Sequence, residues 1–230
     1  MALRRKVLAI AAFAFCIAAM GFIIASFASP FWVESDKKVN PSGFERMGLW
    51  EACFRNYYPT IRPITTKRYN GCWPALSYEL KDLYDHFYPA WMRAIQAMMC
   101  LSMLQEVAAV ILNVIYLIHC FSFEKEQFLV LIAAILNFIS AFFCTISSIM
   151  FGVQVESDRQ WLPQPDSNFL SWAYGFCILG ALLALFSGMC ALTDYFRLRV
   201  EKERDGMDRG YPGAVVYAPR EYSRPPNYRY

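Results

Sequence analysis

Apolar residues along this chain gather into four blocks, 7–28, 92–119, 128–153 and 169–192, set apart by polar stretches. An α-helix rises about 1.5 Å per residue, so roughly 20 residues cross a hydrocarbon core of about 30 Å, and every block is long enough. The first, third and fourth blocks carry no charged residue. In the second, between Arg93 and His119 near its ends, only Glu106 does. Four such helices in a soluble core would need a wrapping of polar helices that the chain lacks. The pattern therefore predicts a membrane all-α four-helix transmembrane bundle. Its spans are 7–29, 91–120, 128–153 and 169–195. They are joined by loops 30–90, 121–127 and 154–168, with a short start 1–6 and a tail 196–230. Composition agrees: 57% of the 230 residues are hydrophobic and 18% charged.

Net charge, +3, says less than its placement. Arg4, Arg5 and Lys6 precede the first span, and Arg197, Arg199, Lys202 and Arg204 follow the last. The positive-inside rule then places both termini in the cytoplasm and loops 30–90 and 154–168 outside. The opening segment also has the order of a secretory signal, basic then apolar then Ser26-Phe27-Ala28, but its apolar run is long enough to span.

Topology sorts the eight cysteines. Cys16, Cys100, Cys120, Cys144, Cys177 and Cys190 fall in or at the ends of spans, whereas Cys53 and Cys72 lie in the first outer loop. Two cysteines in an oxidising compartment favour an internal disulfide over a free or intermolecular thiol. The loop reads as sheet: Tyr57, Tyr58, Thr60, Ile61, Ile64, Thr65, Thr66 and Tyr69 favour strands, and Asn70-Gly71 signals a tight turn. Residues 76–86 look more helical. A small extracellular antiparallel β-sheet on the bundle is expected.

Trp32, Gly48-Leu49-Trp50, Cys53 and Cys72 together reproduce the signature of the claudin superfamily's first outer loop, and Arg93 matches a basic residue usual at the mouth of the second span. The order of spans and loops resembles the same superfamily, which includes claudins, peripheral myelin proteins and calcium-channel gamma subunits. The gap between the two cysteines is wider than in vertebrate claudins. The resemblance is nearest to divergent invertebrate claudin-like proteins of septate junctions. It implies a structural, adhesive component of an occluding junction of septate or tight type, at lateral borders of the plasma membrane. Its partners would be copies of itself or related proteins in cis and trans.

An auxiliary subunit of an ion channel or receptor, or a junction assembly factor of the same superfamily, is the alternative. Many such subunits carry an outer glycosylation sequon. Here Asn40-Pro41-Ser42 is blocked by proline, which favours the junction. No metal-ligand cluster, nucleophile–base pair or phosphate loop points to an enzyme. No cofactor and no nucleic acid are expected; membrane lipid is. Glu106 lacks a second deep acid for a transport relay and reads as a hydrogen-bonded structural group, with Asn137 or Ser140 as partners.

Several further sites follow. Arg55, Arg62, Lys67 and Arg68, with no acid between the cysteines, form a basic stretch suited to charge selection, or a plain solvated face. Trp161 and Leu162 offer either a contact across cells or packing on the first loop. Small residues recur four apart at Ser140, Cys144, Ser148 and Gly152, at Gly180, Ala184 and Gly188, and loosely at Ala14, Ala18, Gly21 and Ala25, predicting close helix approach. The Pro- and Tyr-rich tail reads as disordered, and Pro225, Pro226 and Tyr228 fit a WW-domain ligand. The terminal Tyr-Arg-Tyr departs from the end by which many claudins bind PDZ domains. Cys120 and Cys190 are candidates for acylation, or structural thiols.

Overall fold

The computed structural model describes residues 2–36, 43–59, 67–118, 123–158 and 161–208. Four long helices dominate: α1 (Ala2–Ala28), α3 (Ala90–Leu117), α4 (Phe123–Ser157) and α5 (Trp172–Asp208). All four are long and apolar enough to cross a membrane. Helix α5 lies against α1 and α4, α4 against α3, and α1 against α3, which closes a four-helix ring.

Small residues set these contacts. A side chain at Gly180 would meet Ile23 at 2.8 Å, and one at Gly188 would meet Phe138 at 3.0 Å, so α5 touches α1 and α4 through its predicted stripe. On α4, Ser140 and Cys144 face Ser102 of α3, while Ser148 faces Cys177 of α5. The stripe expected on α1 is corrected. Its packed face is Ala9, Ala12, Cys16, Ala19 and Ile23, and Ala14 and Gly21 point outward.

A five-stranded antiparallel sheet stands at the end of the bundle where α1 stops and α3 starts. Its strands are β1 (Val33–Ser35), β2 (Phe44–Met47), β3 (Glu51–Tyr57), β4 (Tyr69–Pro74) and β5 (Asn168–Leu170), in the order β4-β3-β2-β1-β5. A 3-10 turn (Tyr78–Leu83) and the short α2 (Tyr84–Phe87) then lead into α3.

Several boundaries differ from the sequence reading. Phe169 and Leu170, assigned to the fourth span, pair with Glu34 and Val33 as an edge strand, so the last helix begins at Trp172. That helix runs on to Asp208 through the start of the predicted tail. Helix α4 begins at Phe123 and continues to Ser157. Asn70-Gly71 makes no hairpin turn. Both residues lie inside β4 at a bulge, where Gly71 takes φ +88° opposite Phe54 and Asn56 takes φ +53°. The Asn56 N–H donates to the Asn70 side-chain oxygen across the bulge.

Candidate functional site

The signature residues sit where the sheet meets the bundle, and each has a physical task. Gly48 lies so near the exit of α1 that a Cβ would stand 2.6 Å from Pro30 Cα and closer still to the Ser29 carbonyl oxygen. Only glycine fits. Leu49 is buried, and its carbonyl accepts a hydrogen bond from the buried Gln96 amide of α3. Trp50 packs on Phe27 at 5.3 Å between ring centres, and its carbonyl accepts the Ala75 N–H at 2.7 Å. Trp32 is fully buried. Its indole N–H donates to the Ser26 carbonyl at 2.8 Å, satisfying an acceptor that the end of α1 would leave unpaired, and its ring meets Phe151 edge-on. Arg93 reaches Asp85 at 3.5 Å and lies over Tyr84, tying the start of α3 to the segment before it.

Cys53 and Cys72 face each other across β3 and β4 and are bonded. Glu51 lies close to their sulfurs, but both sulfurs are committed to the disulfide, so the trio is no metal-ligand set. Under the sheet, Phe44, Phe54, Tyr57 and Phe87 form an aromatic core, with Phe54 and Phe87 at 5.2 Å. Burial pushes the Tyr57 hydroxyl up to about 12 and raises that of Tyr88. The same desolvation lowers His86, opposed by the nearby Asp158 carboxylate.

Trp161 and Leu162 are 3% and 5% exposed, which corrects the cross-cell contact offered for them. The Trp161 N–H donates to the Phe87 carbonyl at 2.9 Å, and its ring lies edge-on to Trp91 at 4.7 Å. An apolar ring beside a buried carbonyl in its own chain is already spent there.

The basic stretch is divided. Arg55 pairs with Glu45, Arg68 donates to Asn56 at 3.2 Å, and Lys67 lies over Tyr69 and Trp73. Arg62, Cys120, Pro225, Pro226 and Tyr228 lie outside the described residues. Cys190 is half-buried at the middle of α5. Glu106 is fully buried and accepts a hydrogen bond from Cys16 at 3.4 Å, while the Ser140 hydroxyl meets that of Ser102 at 3.0 Å and Asn137 donates to Ala133 of its own helix. Gln96 went unremarked in the sequence, although a polar amide inside an apolar span is a usable signal of a buried partner.

Most of the sheet's apolar residues turn inward, although Phe169 and Leu170 of β5 are exposed. Just past β4, Leu76 is 78% exposed and Tyr78 84%.

Fold and site together define a four-span membrane protein carrying a disulfide-stapled antiparallel sheet at one end. The sequence model of the PMP-22/EMP/MP20/Claudin tight junction family matches residues 16–193, and the chain belongs to that family. No curated protein matches it.

Proposed function

We propose that the protein is a structural and adhesive component of an occluding cell–cell junction, of septate or tight type. Both termini lie in the cytoplasm, and the stapled sheet faces the space between cells at lateral borders. Copies associate side by side and across membranes to form or organise the paracellular barrier.

The observation that carries this reading is the pair Leu76 and Tyr78, strongly exposed just past the edge strand β4. A membrane fixes every copy in one orientation, so an apolar knob at constant height meets the same level of its neighbour. Family members generally associate with themselves or with relatives, and a second copy is the occupant argued for. Lys67, Arg68 and Arg62 supply the charge that acts on ions or acidic partners, since Glu45 offsets Arg55. In the tail, Pro225, Pro226 and Tyr228 serve as a WW-domain ligand, and Cys120 and Cys190 as acylation sites.

A tagged copy expressed in half the cells of an epithelial layer tests this. Enrichment at borders shared by two expressers, lost in Cys53→Ser and reduced in the double variant Leu76→Asp, Tyr78→Asp, is the expected result. Even surface staining that ignores the neighbour would overturn it in favour of an auxiliary subunit or an assembly factor.

A further inference from the structure

One row of side chains on the outer face of the sheet brings together groups that the fold leaves unspent. Glu34 of β1 stands directly opposite Arg46 of β2 on one side and Phe169 of β5 on the other. Directly opposed residues of antiparallel strands share a face, and Glu34 lies between the buried Val33 and Ser35, so the row points away from the core. Opposed though they are, Glu34 and Arg46 make no ion pair with each other. Glu34 Oε2 accepts the Ser171 hydroxyl at 3.3 Å, while the Arg46 guanidinium turns to the Phe31 ring, 4.6 Å from its centre, with Nη2 3.8 Å from Cys72 Sγ. Arg46 Nε is buried and has no acceptor among the described residues. Phe169 is 51% exposed.

Below this row the protein enters the membrane along a ladder of rings. Phe31 lies against Trp172 at 5.3 Å, Trp172 against Phe176 at 5.0 Å, and Phe176 against Phe22 at 5.0 Å, down the seam of α1 and α5. Gly21 and Gly175, next to Phe22 and Phe176 in the chain, leave open space beside it. Trp172 opens the last span and is 46% exposed, the place and residue type of a membrane–water boundary. Phe169 precedes it by three residues, so the row stands no more than about 10 Å above Trp172, the level of the polar headgroups.

We propose that Glu34, Arg46 and Phe169, with the ring ladder beneath them, bind one phosphocholine lipid of the leaflet on the sheet's side. The Arg46 guanidinium, a planar fork of donors, takes the phosphate. The Glu34 carboxylate balances the quaternary ammonium, which has no N–H to donate and lies against the Phe169 ring instead. Neighbouring strands are about 4.8 Å apart, so the two charges stand about one strand spacing apart, which matches the reach from phosphate to ammonium in this headgroup. The acyl chains follow the ladder. Charge selects this occupant: an anionic lipid meets the repulsion of Glu34, and an apolar face of a second copy would bury two charges with nothing to balance them. A zwitterion answers both.

The test gives the full chain, in maltoside micelles whose headgroups are uncharged, equal amounts of dioleoyl phosphatidylcholine, phosphatidylethanolamine and phosphatidylglycerol, and reads retained lipid by native mass spectrometry. The expected result is one phosphatidylcholine per chain, held ahead of the other two. Arg46→Gln should lower its retention about 10-fold, the scale of a lost charge-assisted hydrogen bond. Phe169→Leu keeps an apolar side chain and should lower the preference over phosphatidylethanolamine about 3-fold. Glu34→Gln keeps the acceptor for Ser171 and should move the preference to phosphatidylglycerol, a change that loss of folding does not produce. No retained lipid, equal retention of the three, or an unaltered order in Glu34→Gln would each overturn the proposal. So would dimers that vanish in Phe169→Leu while lipid stays, which would assign the face to a second copy.

Discussion

Among the described glycines, Gly48→Ala would bring a methyl nearest to other backbone atoms. The added carbon would lie 2.6 Å from Pro30 Cα and 2.9 Å from the Ser29 carbonyl carbon, where ordinary contacts are about 3.5–4.0 Å. About 1 Å of movement is needed, and both partners are backbone, so no rotamer change relieves it. The segment to be moved is held on every side: Gly48 N–H to the Glu51 carbonyl at 2.8 Å, Trp32 N–H to that of Met47 at 3.1 Å, and Gln96 to Leu49. Overpacking costs about 1–3 kcal/mol, and an all-backbone clash belongs at the top of that range. Two other glycines serve as controls. Gly71 has open space but φ +88°, so Ala there costs about 1–2 kcal/mol through strain alone. Gly175 is helical with nothing near, so Ala there gains up to about 1 kcal/mol. Thermal unfolding followed by a thiol-reactive dye in micelles should rank the chains Gly175→Ala, unaltered, Gly71→Ala, Gly48→Ala, from most to least stable. The last should melt roughly 6–12 °C below the unaltered protein. A Gly48→Ala protein as stable as the parent, or more stable than Gly71→Ala, would refute the close approach.

Trp161→Phe removes the donor to the Phe87 carbonyl and leaves that acceptor buried and unpaired. The same melting assay should show a loss of about 1–3 kcal/mol, while surface delivery continues. Glu106→Gln keeps the shape and the acceptor for Cys16 and should change stability by less than about 1 kcal/mol, whereas Glu106→Ala opens a cavity and should cost about 2 kcal/mol or more. Equal losses in the two variants would show that the charge itself is required. Tyr57 holds its proton up to about 12 in the fold but releases it near 10 when exposed. The unfolded chain therefore binds fewer protons between these values, and stability should fall as pH rises through that window. Stability curves measured in parallel should be flatter for Tyr57→Phe.

The four spans were legible because hydrocarbon demands long uncharged runs, and the stapled sheet because its cysteines and tryptophans are spaced distinctively. What failed was orientation within those runs. On α1 small residues occur all round, so Ala14 and Ala18 look as fit for packing as Ala12, Cys16 and Ala19; the choice is made by α5 and α3, not by α1. Asn70-Gly71 has the chemistry of a tight turn, and φ is indeed positive at Gly71. The bulge that uses it depends on Asn56 in the facing strand, which no local window contains. Phe169 and Leu170 run without a break into an apolar helix, and only pairing with Glu34 and Val33 takes them out of it. Trp161 and Leu162 illustrate the same limit, since loop apolarity shows that a partner exists but not whose chain supplies it.

The disulfide is placed where the rest of the fold holds least. Strands β1, β2 and β5 are joined to the helices by Trp32, by the Gly48 approach, by Gln96, and by the Ser171 and Ala173 N–H bonds to the Trp32 and Phe31 carbonyls. Ile23, Met99 and Cys144 of the bundle share one apolar core with Trp32, Phe54 and Phe87, so that half of the sheet does not move apart from the spans. Strand β4 is an edge. It pairs with β3 alone and presents mostly exposed side chains. The Cys53–Cys72 bond fastens this edge, and Leu76 and Tyr78 follow it directly. Closing a loop of this length is worth about 3 kcal/mol by chain entropy, enough to order an edge strand but small beside the core that holds the other strands. Breaking the bond should therefore release the surface argued to meet a neighbour while leaving the bundle folded. That is why Cys53→Ser separates failure of association from failure to fold.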